Sequence, residues 1–173
     1  MNLPNKITTI RLLIVPVYVA VFLYTDYRLL ATLLFALAAA TDFVDGYLAR
    51  KMGLVTDLGK LLDPLADKIL TISSFVLFVS IERLSAVPVI IVITRELSIS
   101  IFRAVAAGKN HVIAASVYGK AKTVLQITLL IVLHLYWILE RPSDMILTVL
   151  VTLMTAITLF SAWDYLWKNR EVL

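Results

Sequence analysis

TDFVDGYLARKMGLVTDLGKLLDPLADK, residues 41–68, puts Asp42, Asp45, Asp63 and Asp67 within or at the edge of two strongly apolar stretches. A helical reading gives these acids a shared location. At 1.5 Å per residue from Leu29, Asp42 and Asp45 lie roughly 20 and 24 Å along a ~30 Å crossing. Counting inward from Lys60 on the returning helix, Asp63 and Asp67 are about 5 and 10 Å deep. On a helical wheel Asp42, Asp45, Gly46 and Ala49 share one face, with Arg50 at its margin. Gly59, Asp63 and Asp67, spaced by four, form a matching stripe. The glycines and the alanine leave room for a bulky group beside the acids.

Four neighbouring carboxylates repel each other, and two charges ~5 Å apart cost about 3 kcal/mol at an effective dielectric of 20. Positive charge must therefore sit among them. Arg50, Lys60 and Lys68 in a helix-locking ion-pair network would supply some of it. Hard dications, Mg²⁺ or Mn²⁺, held by oxygen ligands would supply more, and ionisable groups inside spans are functional candidates by default.

The surrounding composition supports the membrane reading. Of 173 residues 61% are hydrophobic and 16% charged, with a mean hydropathy of +0.92, which excludes a water-soluble globule. The absence of cysteine excludes disulfides, thiolate nucleophiles and sulfur-ligated metals. The expected architecture is an all-α integral membrane protein in a single membrane domain, residues 1–173. It has six transmembrane helices at about 10–25, 29–50, 59–81, 87–107, 119–139 and 144–166, preceded by an interfacial segment at 1–9. Segment 1–9 lacks the small-residue cleavage site of a removable signal.

Basic residues set the expected orientation. Lys6, Arg11, Arg50, Lys51, Lys60, Lys109, Lys120, Lys122, Lys168 and Arg170 fall on the side of both termini, against Arg28, Arg83 and Arg141 opposite. Both termini are thus predicted in the cytoplasm. Lys68, Arg95 and Arg103 fall inside spans and need partners. Adjacent residues diverge on a helix, so Glu96 is expected to meet Arg95 only through the bundle. Arg95 and Glu96 can be a buried helix-stitching network, and Lys120 and Lys122 ordinary anchors. Alternatively, Arg103, Lys120, Lys122 and Arg95 cradle the phosphate of a small anionic acceptor.

His111 and His134 have no suitably spaced partner and read as loop and helix-end residues rather than metal ligands. Trp137, Trp163, Trp167, Tyr136 and Tyr165 read as interfacial anchors. Asp164 stands near a basic helix end, where its role stays open.

The pattern Asp42-x-x-Asp45-Gly46-x-x-Ala49-Arg50, eight residues, then Gly59-x-x-x-Asp63-x-x-x-Asp67 resembles the signature of the CDP-alcohol phosphatidyltransferase family. All eight positions match, an agreement expected by chance at ~10⁻⁸ per starting position. Further similarity is carried by Pro4, Asn5, Thr8 and Arg11, by Arg95-Glu96 with Arg103, and by Gly119-Lys120-Ala121-Lys122-Thr123. These features resemble the bacterial branch whose acceptor is glycerol-3-phosphate.

The resemblance implies the family fold, with two divalent ions, Mg²⁺ or Mn²⁺, held by Asp42, Asp45, Asp63 and Asp67. It makes Asp67 the catalytic base as well, gives Gly46, Ala49, Arg50 and Gly59 to the CDP-lipid, and implies a homodimer. The implied reaction moves a phosphatidyl group from CDP-diacylglycerol to glycerol-3-phosphate and releases CMP. The expected location is a bacterial-type cytoplasmic membrane, multi-pass, with the active site on the cytoplasmic side, membrane lipid as a partner and no nucleic acid.

Three alternatives stay open at this point. The acceptor can instead be phosphatidylglycerol, inositol phosphate or serine. A cation carrier would need acids spread through the membrane depth, whereas these cluster near one face. A structural scaffold would use the acids for assembly alone.

Overall fold

The computed structural model describes the backbone of residues 3–52, 57–108, 116–142 and 144–170. It describes the side chains of residues 9–41, 65, 66, 68–108, 116–142 and 144–170. Among the described residues the fold is entirely helical: α1 Leu3–Tyr24, α2 Arg28–Met52, α3 Asp57–Ser80, α4 Ala86–Gly108, α5 Val117–Ile138 and α6 Met145–Lys168. The helices form two compact units, Met1–Ser80 and Ile81–Leu173.

Several helices run past the apolar stretches that announce them. α1 begins at Leu3, so most of segment 1–9 is helical and continuous with the apolar part that follows. α2 continues through Arg50 and Lys51 to Met52, because straight-chain basic residues keep good helix propensity. Among the described residues, α5 and α6 are each long and apolar enough to cross a bilayer, and Thr9–Tyr24, Arg28–Thr41 and Lys68–Ser80 form shorter apolar helical stretches. With this apolar content, the chain is a membrane protein.

In the first unit, α1 packs against α2 and α3. Tyr18 and Phe22 of α1 occupy its centre. Tyr18 meets Phe35 at 6.0 Å between ring centroids, and Phe22 meets Phe78 edge-on at 5.4 Å. Ala31, Phe35 and Ala38, spaced by four and three, form the buried stripe of α2, and the two small residues allow close helix approach. Ala66, Leu70, Ser74 and Phe78 form the buried stripe of α3. Ser74 answers its own polarity by donating to the Leu70 carbonyl at 2.8 Å.

In the second unit, α6 packs on both α4 and α5. Arg95 meets Ser161, and Arg103, two turns on, meets Tyr165, one turn on. Contacts that advance together on both helices fit α4 and α6 running in the same direction.

The short α5–α6 connection in this unit is closed by local chemistry at both ends. Asp144 caps α6 by accepting from the Leu147 N–H, and its other oxygen accepts the Tyr136 hydroxyl at 2.7 Å. Those hydrogen bonds, the Tyr136 one foremost, hold the Asp144 carboxyl below its ordinary value. α5 ends in a Schellman motif, with Arg141 N–H donating to the Tyr136 carbonyl at 2.9 Å and Glu140 N–H to that of Trp137 at 3.4 Å. The motif places Glu140 in the left-handed region at φ 51°, where glycine is at ease and a side chain is not. Glu140→Gly is therefore expected to stabilise the protein by about 1 kcal/mol, read as a higher midpoint in thermal unfolding.

Candidate active site

Two helix segments carry the acids. Asp45 and Asp42 lie seven and ten residues before the end of α2 at Met52, about 10 and 15 Å along the axis. Asp63 and Asp67 lie six and ten residues after the start of α3 at Asp57, about 9 and 15 Å along. Residues 53–56 join the two ends and can separate them by no more than roughly 18 Å. Both pairs of acids therefore lie at similar distances from the adjoining ends of two helices that pack in one unit.

Their register continues the buried stripes. Positions 42 and 45 follow Ala38 by four and seven residues on α2. Position 63 precedes Ala66 by three, and position 67 precedes Leu70 by three, on α3. The side chains of Asp42, Asp45, Gly46, Ala49, Arg50, Gly59, Asp63 and Asp67, and of Pro4, Asn5 and Thr8, lie outside the described residues. His111 lies outside them too. Among the described residues no group of three or more acids or histidines forms a metal centre.

Next to these acids in the fold stands a cation that basic-residue counting treats as an ordinary surface charge. Arg11, one of the cytoplasmic-side cations in that count, is fully buried in α1 at 0% exposure. Its Nε donates to Thr41 Oγ1 at 3.3 Å, and the Thr41 hydroxyl donates onward to the Ala38 carbonyl at 2.7 Å. Thr41 is the residue before Asp42. A guanidinium in an otherwise apolar segment is the signal that marks it in the sequence.

The second unit gathers part of the expected basic cluster. Glu96 Oε1 accepts from Lys122 Nζ of α5 and from Arg95 Nη1 at 3.3 Å. The three side chains are only 12, 6 and 9% exposed, respectively. The adjacent pair does meet, contrary to expectation, because the long guanidinium reaches round to a carboxylate that Lys122 already holds. Arg95 also donates to buried Ser161 of α6 at 2.7 Å, while its Nε has no partner.

Arg103 and Lys120 stand apart from that cluster. Arg103 Nε donates to Tyr165 Oη at 3.1 Å, and its guanidinium lies 5.3 Å from the ring centroid. Lys120 is exposed at the start of α5. Tyr165 is not an interfacial anchor as its position suggested. It is 2% exposed, packed edge-on against Phe102, with Arg103 satisfying its hydroxyl.

Asp164 resolves to an ion pair with Lys168 one turn on, at 2.7 Å, leaving its second oxygen buried without a partner. His134 is enclosed within α5 beside the Leu130 carbonyl at 2.8 Å, rather than standing at a helix end. Trp163 and Trp167 stay outward, as an anchoring role requires. They stack at 5.9 Å and are each 59% exposed, whereas Trp137 is buried.

The chain is thus an all-helical membrane protein with paired acids at similar distances from the adjoining ends of two packed helices. The sequence matches the CDP-alcohol phosphatidyltransferase family over residues 1–163, and the chain belongs to that family. It is 37% identical to the CDP-diacylglycerol–glycerol-3-phosphate 3-phosphatidyltransferase of Bacillus subtilis (strain 168), an alignment covering 99% of this chain and 97% of that protein. Proteins of the same name from Rickettsia bellii (strain RML369-C) and Haemophilus influenzae (strain Rd) are 38 and 34% identical. Those alignments cover 78 and 95% of this chain, and 75 and 91% of the relatives.

Proposed function

We propose that this enzyme transfers the phosphatidyl group of CDP-diacylglycerol to glycerol-3-phosphate, giving phosphatidylglycerophosphate and CMP. The observation that carries the reading is the match over nearly the full length to relatives named for that reaction, together with all eight signature positions.

Asp42, Asp45, Asp63 and Asp67 fit hard divalent ions by donor chemistry. They are carboxylates at similar distances from adjoining helix ends, in a chain that has no sulfur ligand from cysteine. They would hold two ions, Mg²⁺ or Mn²⁺. When bound, such ions stabilise negative charge on the transferring phosphoryl and leaving oxygens. Asp67 takes the proton of the acceptor hydroxyl as that oxygen bonds to the lipid-linked phosphorus and the bond from phosphorus to CMP breaks. Gly46, Ala49 and Gly59 leave space for the nucleotide, and Arg50 pairs with its phosphates. Pro4, Asn5 and Thr8 serve the same site at the start of α1.

In the second unit, Arg95 and Lys122 share one carboxylate oxygen, so this buried trio carries one net positive charge. An acceptor phosphate balances it, and Arg103 and Lys120, which stand apart from the trio, add only longer-range positive charge. The chain acts as one membrane domain crossing six times in a bacterial cytoplasmic membrane. Both termini and the site face the cytoplasm, and it functions as a homodimer.

Purified protein supplied with CDP-diacylglycerol, Mn²⁺ or Mg²⁺ and each acceptor in turn tests the reading. CMP is expected with glycerol-3-phosphate, falling to background in EDTA and returning with either metal. CMP released only with phosphatidylglycerol, inositol phosphate or serine would replace the acceptor. Undiminished release in EDTA would remove the ions from the reading.

A further inference from the structure

Arg11 is the only charged residue of α1 beyond Lys6, and a guanidinium is kept inside a protein by hydrogen bonds and counter-charge. Nε uses one of five N–H donors on Thr41. α1 contains no acid, and α2 contains only Asp42 and Asp45. In the first unit, Asp26 sits in the connection beyond the far ends of α1 and α2, and Asp57 opens α3, about 9 Å along the axis before Asp63. The acid next in sequence to the Thr41 that Arg11 contacts is Asp42, of the signature. Arg11 is eight residues into α1, about 12 Å along, and Thr41 is about 16 Å from the end of α2 at Met52.

Thr41 is well placed to transmit this contact. Asp45 follows it by four residues, within about 40° on the helical wheel, and Asp42 follows directly. Its hydroxyl proton is committed to the Ala38 carbonyl, which leaves a lone pair for Arg11. A bond that joins α1 to this turn fixes its rotation about the α2 axis. We propose that Arg11 is a positioning residue: through Thr41 it sets the rotation of the α2 turn bearing Asp42 and Asp45, and it is the resident counter-charge of that acidic stretch. The inference rests on the reading that these acids hold the divalent ions.

Three variants of the full-length protein in detergent separate charge from geometry. Thr41→Val keeps the charge and removes the acceptor, Arg11→Lys keeps the charge and removes the planar fork, and Arg11→Met removes both. The readouts are kcat and KM for each substrate, and the rise in thermal midpoint caused by Mn²⁺.

Thr41→Val and Arg11→Lys are each expected to lower kcat about tenfold, with KM for glycerol-3-phosphate unchanged within about twofold, and to lose about half the Mn²⁺ shift. Arg11→Met is expected to lose about 100-fold and most of the shift, and adding Thr41→Val to it should cost nothing more. Wild-type kcat and Mn²⁺ shift in both Thr41→Val and Arg11→Lys would overturn the proposal, as would losses that multiply in the double variant. If Arg11→Met does not fold, the other two variants still decide. A wild type with no Mn²⁺ shift would instead overturn the metal reading, and this inference with it.

Discussion

Asp67→Asn is expected to lower CMP release by about 10³- to 10⁴-fold, the scale of losing a positioned general base, while the purified protein keeps its metal-free unfolding midpoint. Asparagine preserves size and one oxygen but cannot accept the proton or contribute its negative charge. Both proposed duties of Asp67 therefore fail together. Raising glycerol-3-phosphate should not restore the rate, because the loss lies in the chemical step and appears in kcat. A variant that keeps more than a tenth of wild-type turnover would remove Asp67 as base.

The second large effect concerns stability. Glu96→Gln should cost about 3–5 kcal/mol, because it leaves Lys122 and Arg95 as two buried cations without their shared carboxylate. The added change Lys122→Met should recover part of that loss by removing one stranded charge. Thermal unfolding in detergent of the single and double variants measures both. A single variant that melts with the wild type would mean that this trio is well solvated and contributes little.

Much of the fold is legible in the sequence because a bilayer demands long apolar helices, and residues from Ile10 to Leu166 repeat that demand. Helix ends are less legible. Leu3–Thr9 and the Arg50 to Met52 turn continue helices through polar sequence, since hydropathy marks where lipid begins and not where backbone hydrogen bonding stops. The signature acids are legible as a pattern, and helix bounds add their similar distances from the adjoining helix ends.

Side-chain partners are the hardest to foresee. Counting basic residues treats Arg11 like Lys6, although one bond to a threonine on a neighbouring helix draws it inside. Tyr165 reads as an anchor until Arg103 supplies its buried partner, and Arg95 meets Glu96 because α5 delivers Lys122 to the same oxygen. Each outcome depends on a helix distant in sequence, beyond the reach of spacing within one segment.

The outward stack of Trp163 and Trp167 and the enclosed Trp137 account for all three indoles of the chain. Nature has thereby given this enzyme an optical gauge. Brominated acyl chains can dim the outward pair by contact while the sheltered ring keeps glowing, so label-free emission reports the seating of α6 in its solvent of fats.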